Sequence, residues 1–304
     1  MKHSSKFRRS RGLTLIELLI SMVIGLVVVG AVIVSMIGSG KAGRFQEAYS
    51  QMNEDAQIAL SIISRDIQMA GYSNPTGLVN ITPLTATPTM VLAFANLSPG
   101  NPVFGCDTGF ANSSAAANSL VCGTATNAAI EVVYEADGRN TVPASGVPSD
   151  CLGNGLAGAA PFIARNRYFL TTSSASGASG RPELSCASST AGNGSQPLVE
   201  NIENMRISYG VSLPAPAPPN LPVPAQVVRY VSATQITTAG VTEWANVVSV
   251  RVCLLVRSAE RVLTTGGAED TLTYMDCAGA SQTSSDGYLR RAYFSTAALR
   301  DKMP

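Results

Sequence analysis

An uncharged run of twenty residues, Leu18 to Ile37, lies close to the start of the chain and decides what the rest can be. As a helix, a run of this length crosses a hydrocarbon core of about 30 Å. One acid, Glu17, stands immediately before it, and the leader from Met1 to Arg11 holds Lys2, Lys6, Arg8, Arg9 and Arg11 with no acid. The positive-inside rule then keeps this end in the cytoplasm and sends the bulk of the chain across the membrane. An ionised carboxylate near a bilayer centre costs roughly 2.5–3.5 kcal/mol, so Glu17 needs a partner or a function. A secretory signal would have a shorter apolar core, about 7–15 residues, although Gly38-Ser39-Gly40 would serve as its cleavage site. A plain anchor fits the length but leaves Glu17 and Gly12-Leu13-Thr14-Leu15 without a role.

Helical character continues past the apolar run. Phe45, Tyr49, Met52, Ala56, Leu60, Ile63 and Ile67 recur at steps of three or four, with polar residues between them, which predicts an amphipathic helix. No proline occurs between Leu13 and Gly71, so the two halves are expected to form one helix of nearly sixty residues. Gly71 is the expected C-cap, and Asn74-Pro75 prevents continuation. Gly25, Gly30, Gly38, Gly40 and Gly43 are the places where this helix can bend or pack closely.

From Ser73 the composition turns to Ser, Thr, Ala, Gly, Asn and Pro with short β-rich runs. Expected strands are Met90–Ala95, Ala129–Glu135, Phe162–Leu170, Met205–Val211, Gln226–Val231, Val247–Arg257, Thr271–Met275 and Tyr288–Ser295. In the best of them, Val248, Val250, Val252, Leu254 and Val256 face one way, and Ser249, Arg251 and Arg257 the other, predicting one packed and one wet face. No crossover helices separate the runs, so an antiparallel sheet is expected. The fold class is therefore α+β, a long N-terminal helix packed on an antiparallel sheet with long loops. Two loops stand out: the proline-rich Leu213–Pro224, read as a stiff connector, and the Ser/Ala/Gly-rich Thr171–Gln196, read as a long flexible loop.

The six cysteines, Cys106, Cys122, Cys151, Cys186, Cys253 and Cys277, form no Cys-x-x-Cys motif. An even number in an exported region points to disulfides. Sequence does not select among the fifteen pairings. Neighbour pairing, Cys106 with Cys122, Cys151 with Cys186 and Cys253 with Cys277, is the default expectation, each bridge closing a loop with little core of its own.

The chemistry tests return little. The only histidine, His3, lies in the leader, so past the leader His-based triads and His metal sites have no residue to build on. Gly153-x-Gly155-x-x-Gly158 has dinucleotide spacing but lacks the flanking strand and helix, and reads as a glycine loop. Glu200 with Glu203 and Asp270 with Asp276 do not have the spacing of a Ca²⁺ loop and read as solvated. No cofactor, no metal and no enzymatic activity are expected. Removing the leader would leave 16 Lys/Arg against 20 Asp/Glu, a formal −4, which argues against nucleic acid as the main partner. Arg257, Arg261, Arg290, Arg291 and Arg300, in the last fifth, are candidates for a local basic patch and read as a solvated face.

Gly12-Leu13-Thr14-Leu15-Ile16-Glu17, after a short basic leader and before an apolar helix, resembles the type III signal of type IV prepilins and type II secretion pseudopilins. The resemblance implies that a prepilin peptidase cuts after Gly12 and that the new terminus at Leu13 is methylated. It implies too that Glu17 pairs with the terminal amine of a neighbouring subunit. Acid and amine would each be costly alone in a low-dielectric medium, and together they offset each other and fix axial register. Ser64-Arg65-Asp66-Ile67-Gln68-Met69-Ala70-Gly71-Tyr72, the run from Val199 to Val211, Val250–Ser258 and Arg290–Arg300 extend the likeness to the PilW family of type IV pilus minor pilins.

Membership would divide the chain into a cleaved leader at 1–12, a membrane and assembly half of the helix at 13–37, an amphipathic half at 38–72 and a disulfide-containing β-rich domain at 73–304. It would make the protein a minor pilin that primes assembly and sits at or near the pilus tip, supporting twitching and adhesion. Its partners would be other minor pilins, the major pilin and a PilY-type tip adhesin. Before assembly it would lie in the inner membrane with its C-terminal domain periplasmic, and afterwards in the fibre at the cell surface. The alternatives are a GspJ-like pseudopilin of a type II secretion system, and a tip adhesin that binds a ligand or DNA.

Overall fold

A computed structural model describes residues 12, 14–79, 89–92, 101–116, 119–174, 176, 180–188, 194–212, 226–239, 241–263 and 271–300. The chain divides into two compact units, residues 1–47 and 48–304.

One helix, α1, runs Leu15–Met69. It starts where a capping box should place it. The Thr14 carbonyl accepts from the amides of Glu17 (3.1 Å) and Leu18 (3.2 Å), the Glu17 amide also meets Thr14 Oγ1 at 3.4 Å, and Thr14 Oγ1 lies 3.5 Å from Glu17 Oε2. Thr-x-x-Glu is the pattern that satisfies the first unpaired donors of a helix. Its end matches expectation. Gly71 takes φ 84°, which glycine alone adopts freely, and its amide donates to the Val133 carbonyl at 2.9 Å. Glu135 then fixes the exit, accepting from Ser73 Oγ and the Asn74 amide, both at 2.7 Å.

In the second unit α1 buries Ala48, Met52, Ala56, Ala59, Ile63, Ile67 and Ala70. The expected stripe is correct in its centre and shifted at its N-terminal end. Phe45 and Leu60 are only half-buried, and Tyr49 is 43 % exposed. Alanines occupy the close-approach positions, which an apolarity count that favours large side chains passes over.

The strands are β1 Pro75–Val79, β2 Thr89–Leu92, β3 Val103–Cys106, β4 Ala129–Ala136, β5 Phe162–Thr172, β6 Pro182–Ser188, β7 Ser195–Glu200, β8 Ile202–Val211, β9 Arg229–Val231, β10 Val247–Arg257, β11 Leu272–Met275, β12 Ser281–Ser284 and β13 Arg290–Ala298, with a short α2, Ala233–Ala239, and a 3-10 turn, Val241–Asn246, between β9 and β10. They form a five-stranded sheet, β3-β4-β5-β6-β7, a four-stranded sheet, β13-β10-β8-β9, and two hairpins, β1-β2 and β11-β12. Every pairing is antiparallel. The fold is α+β, a long helix with antiparallel sheets.

Several expectations are corrected. Thr171–Gln196 is not one long loop: it contains the end of β5, all of β6 and the start of β7. β6 is a central strand with six of its seven residues buried. Its small Ser, Ala and Cys side chains carry weak strand propensity, and packing between β5 and β7 overrides it. Gln226–Val231 shortens to β9, and Tyr288–Ser295 shifts to β13. β10 keeps its predicted bounds, but its second face is not simply wet. Arg251 is exposed, while Ser249, Cys253 and Leu255 are buried, because Tyr230 reaches Ser249 (3.2 Å) and Cys253 is bonded to Cys277 beside the β11-β12 hairpin. Of Met90–Ala95, only the part inside β2 falls within the described residues. The proline run Leu213–Pro224 lies outside them.

The chain passes from the first sheet to the second through a single residue. Asn201, between β7 and β8, takes φ 64°, a left-handed conformation that Asn tolerates better than other non-glycine residues. Its carbonyl accepts from the Arg257 amide at 2.9 Å. Phe104 of β3, Tyr209 of β8 and Trp244 of the 3-10 turn cluster, with Tyr209 edge-on to Trp244 at 5.0 Å.

Candidate functional site

Among the described residues the N-terminal half of α1 is exposed along its length. From Leu15 to Met36 its large apolar side chains are 52–80 % exposed. By length and composition it can cross a membrane, and an unburied apolar surface this long demands a lipid or protein cover. Glu17 opens it, exposed, with Thr14 as its side-chain partner among the described residues. Gly12 is exposed, and Leu13 and the leader fall outside the described residues.

Three disulfides staple the β-rich unit: Cys106–Cys122, Cys151–Cys186 and Cys253–Cys277, with Cα–Cα distances of 5.3, 6.5 and 5.7 Å. The loop closed by the first covers one face of β4-β5. There Arg167, wholly buried, donates from Nε to Glu131 Oε1 at 2.9 Å and from Nη1 to the carbonyls of Ser113 (2.8 Å) and Ala115 (2.6 Å). Arg165 lies 3.5 Å from the other Glu131 oxygen, and burial pushes its guanidinium pKa down.

On the opposite face of β5 sits an acid that pattern reading passed over. Asp66 of α1 is buried and accepts from Tyr168 Oη (2.6 Å), Asn166 Nδ2 (2.6 Å) and Tyr134 Oη (3.3 Å). Burial outweighs these three neutral donors and raises its pKa, while burial and the Asp66 charge raise those of both tyrosines. The signal was available, since Asp66 falls between Ile63 and Ile67 in the phase of the buried stripe.

The arginines of the last fifth do not make a basic patch. Arg290, its side chain 7 % exposed, is clamped by Glu203 on one edge (Nη2 to Oε1, 2.9 Å) and Asp286 on the other (Nη1 to Oδ1, 2.9 Å; Nη2 to Oδ2, 2.6 Å). Its hydrogen bonds hold the Asp286 carboxyl well below the usual range. Arg257 and Arg261 share the Tyr288 ring, at 4.6 and 5.6 Å from its centroid, and Arg291 lies 5.5 Å from that of Tyr293. Arg300 is exposed. The reading of Glu203 as solvated is likewise corrected, since it belongs to the clamp, whereas Glu200 is exposed, 3.6 Å from Arg181. Asp276 caps a turn through the amides of Ala278 and Ala280, and Asp270 lies outside the described residues. Gly153, Gly155 and Gly158 sit in the loop ahead of β5, with Gly153 and Gly158 at φ 74° and 105°. Among the described residues no group of three His, Cys, Asp or Glu side chains could hold a metal ion.

The family model for Type IV Pilus-assembly protein W matches residues 167–301, and that for the prokaryotic N-terminal methylation motif matches residues 7–33. Residues 167–301 thus match the PilW domain of type IV pilus minor pilins, behind an N-terminal methylation motif. The PilW match runs from within β5 through β13, so the Asn201 corner and the Arg290 clamp lie inside it. The methylation match takes in Gly12, Glu17 and most of the exposed apolar helix. The methylation motif and the exposed apolar helix support membrane anchoring, N-terminal processing and assembly with other pilus components. Among solved structures, the chain is similar to a type IV-like pilin from Thermus thermophilus at 11% identity over 84% of this chain and 99% of that one, with a TM-score of 0.36. No curated protein matches the chain.

Proposed function

We propose that the protein is a low-abundance minor pilin that primes pilus assembly and sits at or near the tip with other minor pilins and a PilY-type adhesin, serving twitching and attachment. In this reading prepilin peptidase cuts after Gly12, Leu13 becomes the methylated terminus, and Glu17 receives the amine of a neighbouring subunit. Residues 13–37 are then the membrane and assembly half, and 73–304 the periplasmic and later fibre-borne domain.

The observation that carries this reading is an apolar helix with no cover among the described residues, opened by one exposed acid. Glu17 lies in the first turn, where an acid complements the positive end of the helix dipole. A neighbouring subunit's terminal amine would add a second counter-charge in a low-dielectric setting, where an unpaired carboxylate is expensive.

Mass spectrometry of the N-terminus and of the crosslinked partners in native membranes tests it. A methylated Leu13 terminus with other minor pilins and an adhesin as partners is the expected result. Secretion pseudopilins as partners would move the protein to a type II secretion fibre, and an intact Met1 would remove the processing scheme. Deleting the chain while surface pili and twitching persist would remove the priming role.

A further inference from the structure

Asp66 of α1 and Asp150 of the loop before β5 line a single open cleft of about 320 Å³, together with Ile62, Val142 and Leu198. Asp150 is 6 % exposed. Its Oδ1 accepts from the amides of Leu152 (2.9 Å) and Asn154 (3.0 Å), and its Oδ2 is buried with no partner. A buried carboxylate oxygen without a donor forfeits its hydration with nothing in exchange.

Asp66 has only neutral donors, so the cleft holds two acids and no cation bonded to either. Arg65 also lines it but turns its guanidinium to the Asn140 carbonyl at 3.2 Å and forms no ion pair with Asp66 or Asp150. Val142, 76 % exposed, adds an apolar surface that nothing covers. Apolar walls beside two acids, one of them with a buried unpartnered oxygen, fit a group with an aliphatic stem and a cationic head.

We propose that this cleft receives a Lys or Arg side chain from a neighbouring pilus subunit, its stem against Ile62, Val142 and Leu198 and its head at Asp150 and Asp66. The proposal rests on the assembly reading above. A subunit supplies both the head and the flanking surface that would cover Val142, which a free amine would not.

The test uses the full chain in its native cells, with Val142, or separately Val23 in the apolar helix, replaced by a photo-crosslinking phenylalanine. The expected Val142 crosslink falls on a pilus subunit within a few residues of a Lys or Arg. Asp150→Asn, which keeps the Oδ1 acceptor, is expected to lower its yield at least about fivefold and leave the Val23 crosslink unchanged. Replacing the partner's basic residue by Gln should give the same loss without touching this chain, so a folding defect in Asp150→Asn cannot decide the matter. A Val142 crosslink to lipid alone, to a segment without a basic residue, or one indifferent to both substitutions overturns the proposal. Pilin crosslinks at Val23 with none at Val142 overturn it alone; loss of pilin crosslinks at both overturns the assembly reading as well.

Discussion

Tyr168 on β5 donates a 2.6 Å hydrogen bond to Asp66 on α1, joining helix and sheet through a carboxylate that burial would prefer protonated. Because the folded pKa of Asp66 lies above its unfolded value, the native state holds the proton more tightly. Its contribution to stability is full below the ordinary carboxylate range and is lost as pH rises through the raised pKa. Asp286, whose pKa is lowered, works in the opposite sense and loses stability as pH falls. Comparing urea unfolding of the wild type and Asp66→Asn between pH 4 and 7 isolates the first effect. The variant is expected to gain on the wild type as pH rises, and a constant difference would refute the assignment.

The Arg290 clamp gives a second prediction. Arg290→Lys keeps the charge but cannot serve Glu203 and Asp286 in parallel forks. Asp286 is 39 % exposed, so solvent screens part of the interaction. A loss of about 1–2 kcal/mol is expected, between exposed and buried pairs. Thermal unfolding should show a shift of several degrees, and Arg290→Ala should be worse than Arg290→Lys.

Gly105 and Tyr209 form a steric pair. A Cβ on Gly105 would stand 2.6 Å from Tyr209 Cζ and closer still to its hydroxyl, so Gly105→Ala is expected to cost roughly 1–3 kcal/mol through overpacking. Tyr209 Oη is buried without a partner. Tyr209→Phe should therefore be neutral or stabilising, and it should soften the effect of Gly105→Ala. A double-mutant cycle reads this directly.

The Cys106–Cys122 bridge holds the loop whose carbonyls serve Arg167. Replacing both cysteines by Ser is expected to cost about 2–4 kcal/mol from loop entropy. Amide exchange should quicken across 107–121, because Ser113 and Ala115 would no longer be held over the guanidinium. Unchanged exchange there would mean that Arg167 alone anchors the loop.

What was legible in the sequence was whatever repeats with a period or breaks one. The apolar run, the Gly71 cap and β10 follow from spacing alone. β6 was not legible, because Ser185, Cys186 and Ala187 carry no strand signal until β5 and β7 flank them. Asp66 was hidden for a related reason: a charged residue on a helix reads as a solvated one, and only Tyr134, Asn166 and Tyr168, from strands 68 to 102 residues away, make it a buried acceptor. The Thr14–Glu17 capping box is legible as Thr-x-x-Glu ahead of an apolar run. Arg290 and Glu203 are 87 residues apart, and composition gives no means to match them.

The naked helix from Leu15 to Met36 carries an energetic corollary for the fibre. Lipid tails and the side chains of like helices are comparably oily, so a subunit moving between bilayer and fibre exchanges one such surrounding for another with little hydrophobic bias in either direction. The balance of that traffic is left to the few polar atoms at the helix entrance and to surfaces of the β-rich unit. A small change there can tip a process that a greasy helix alone would leave nearly level.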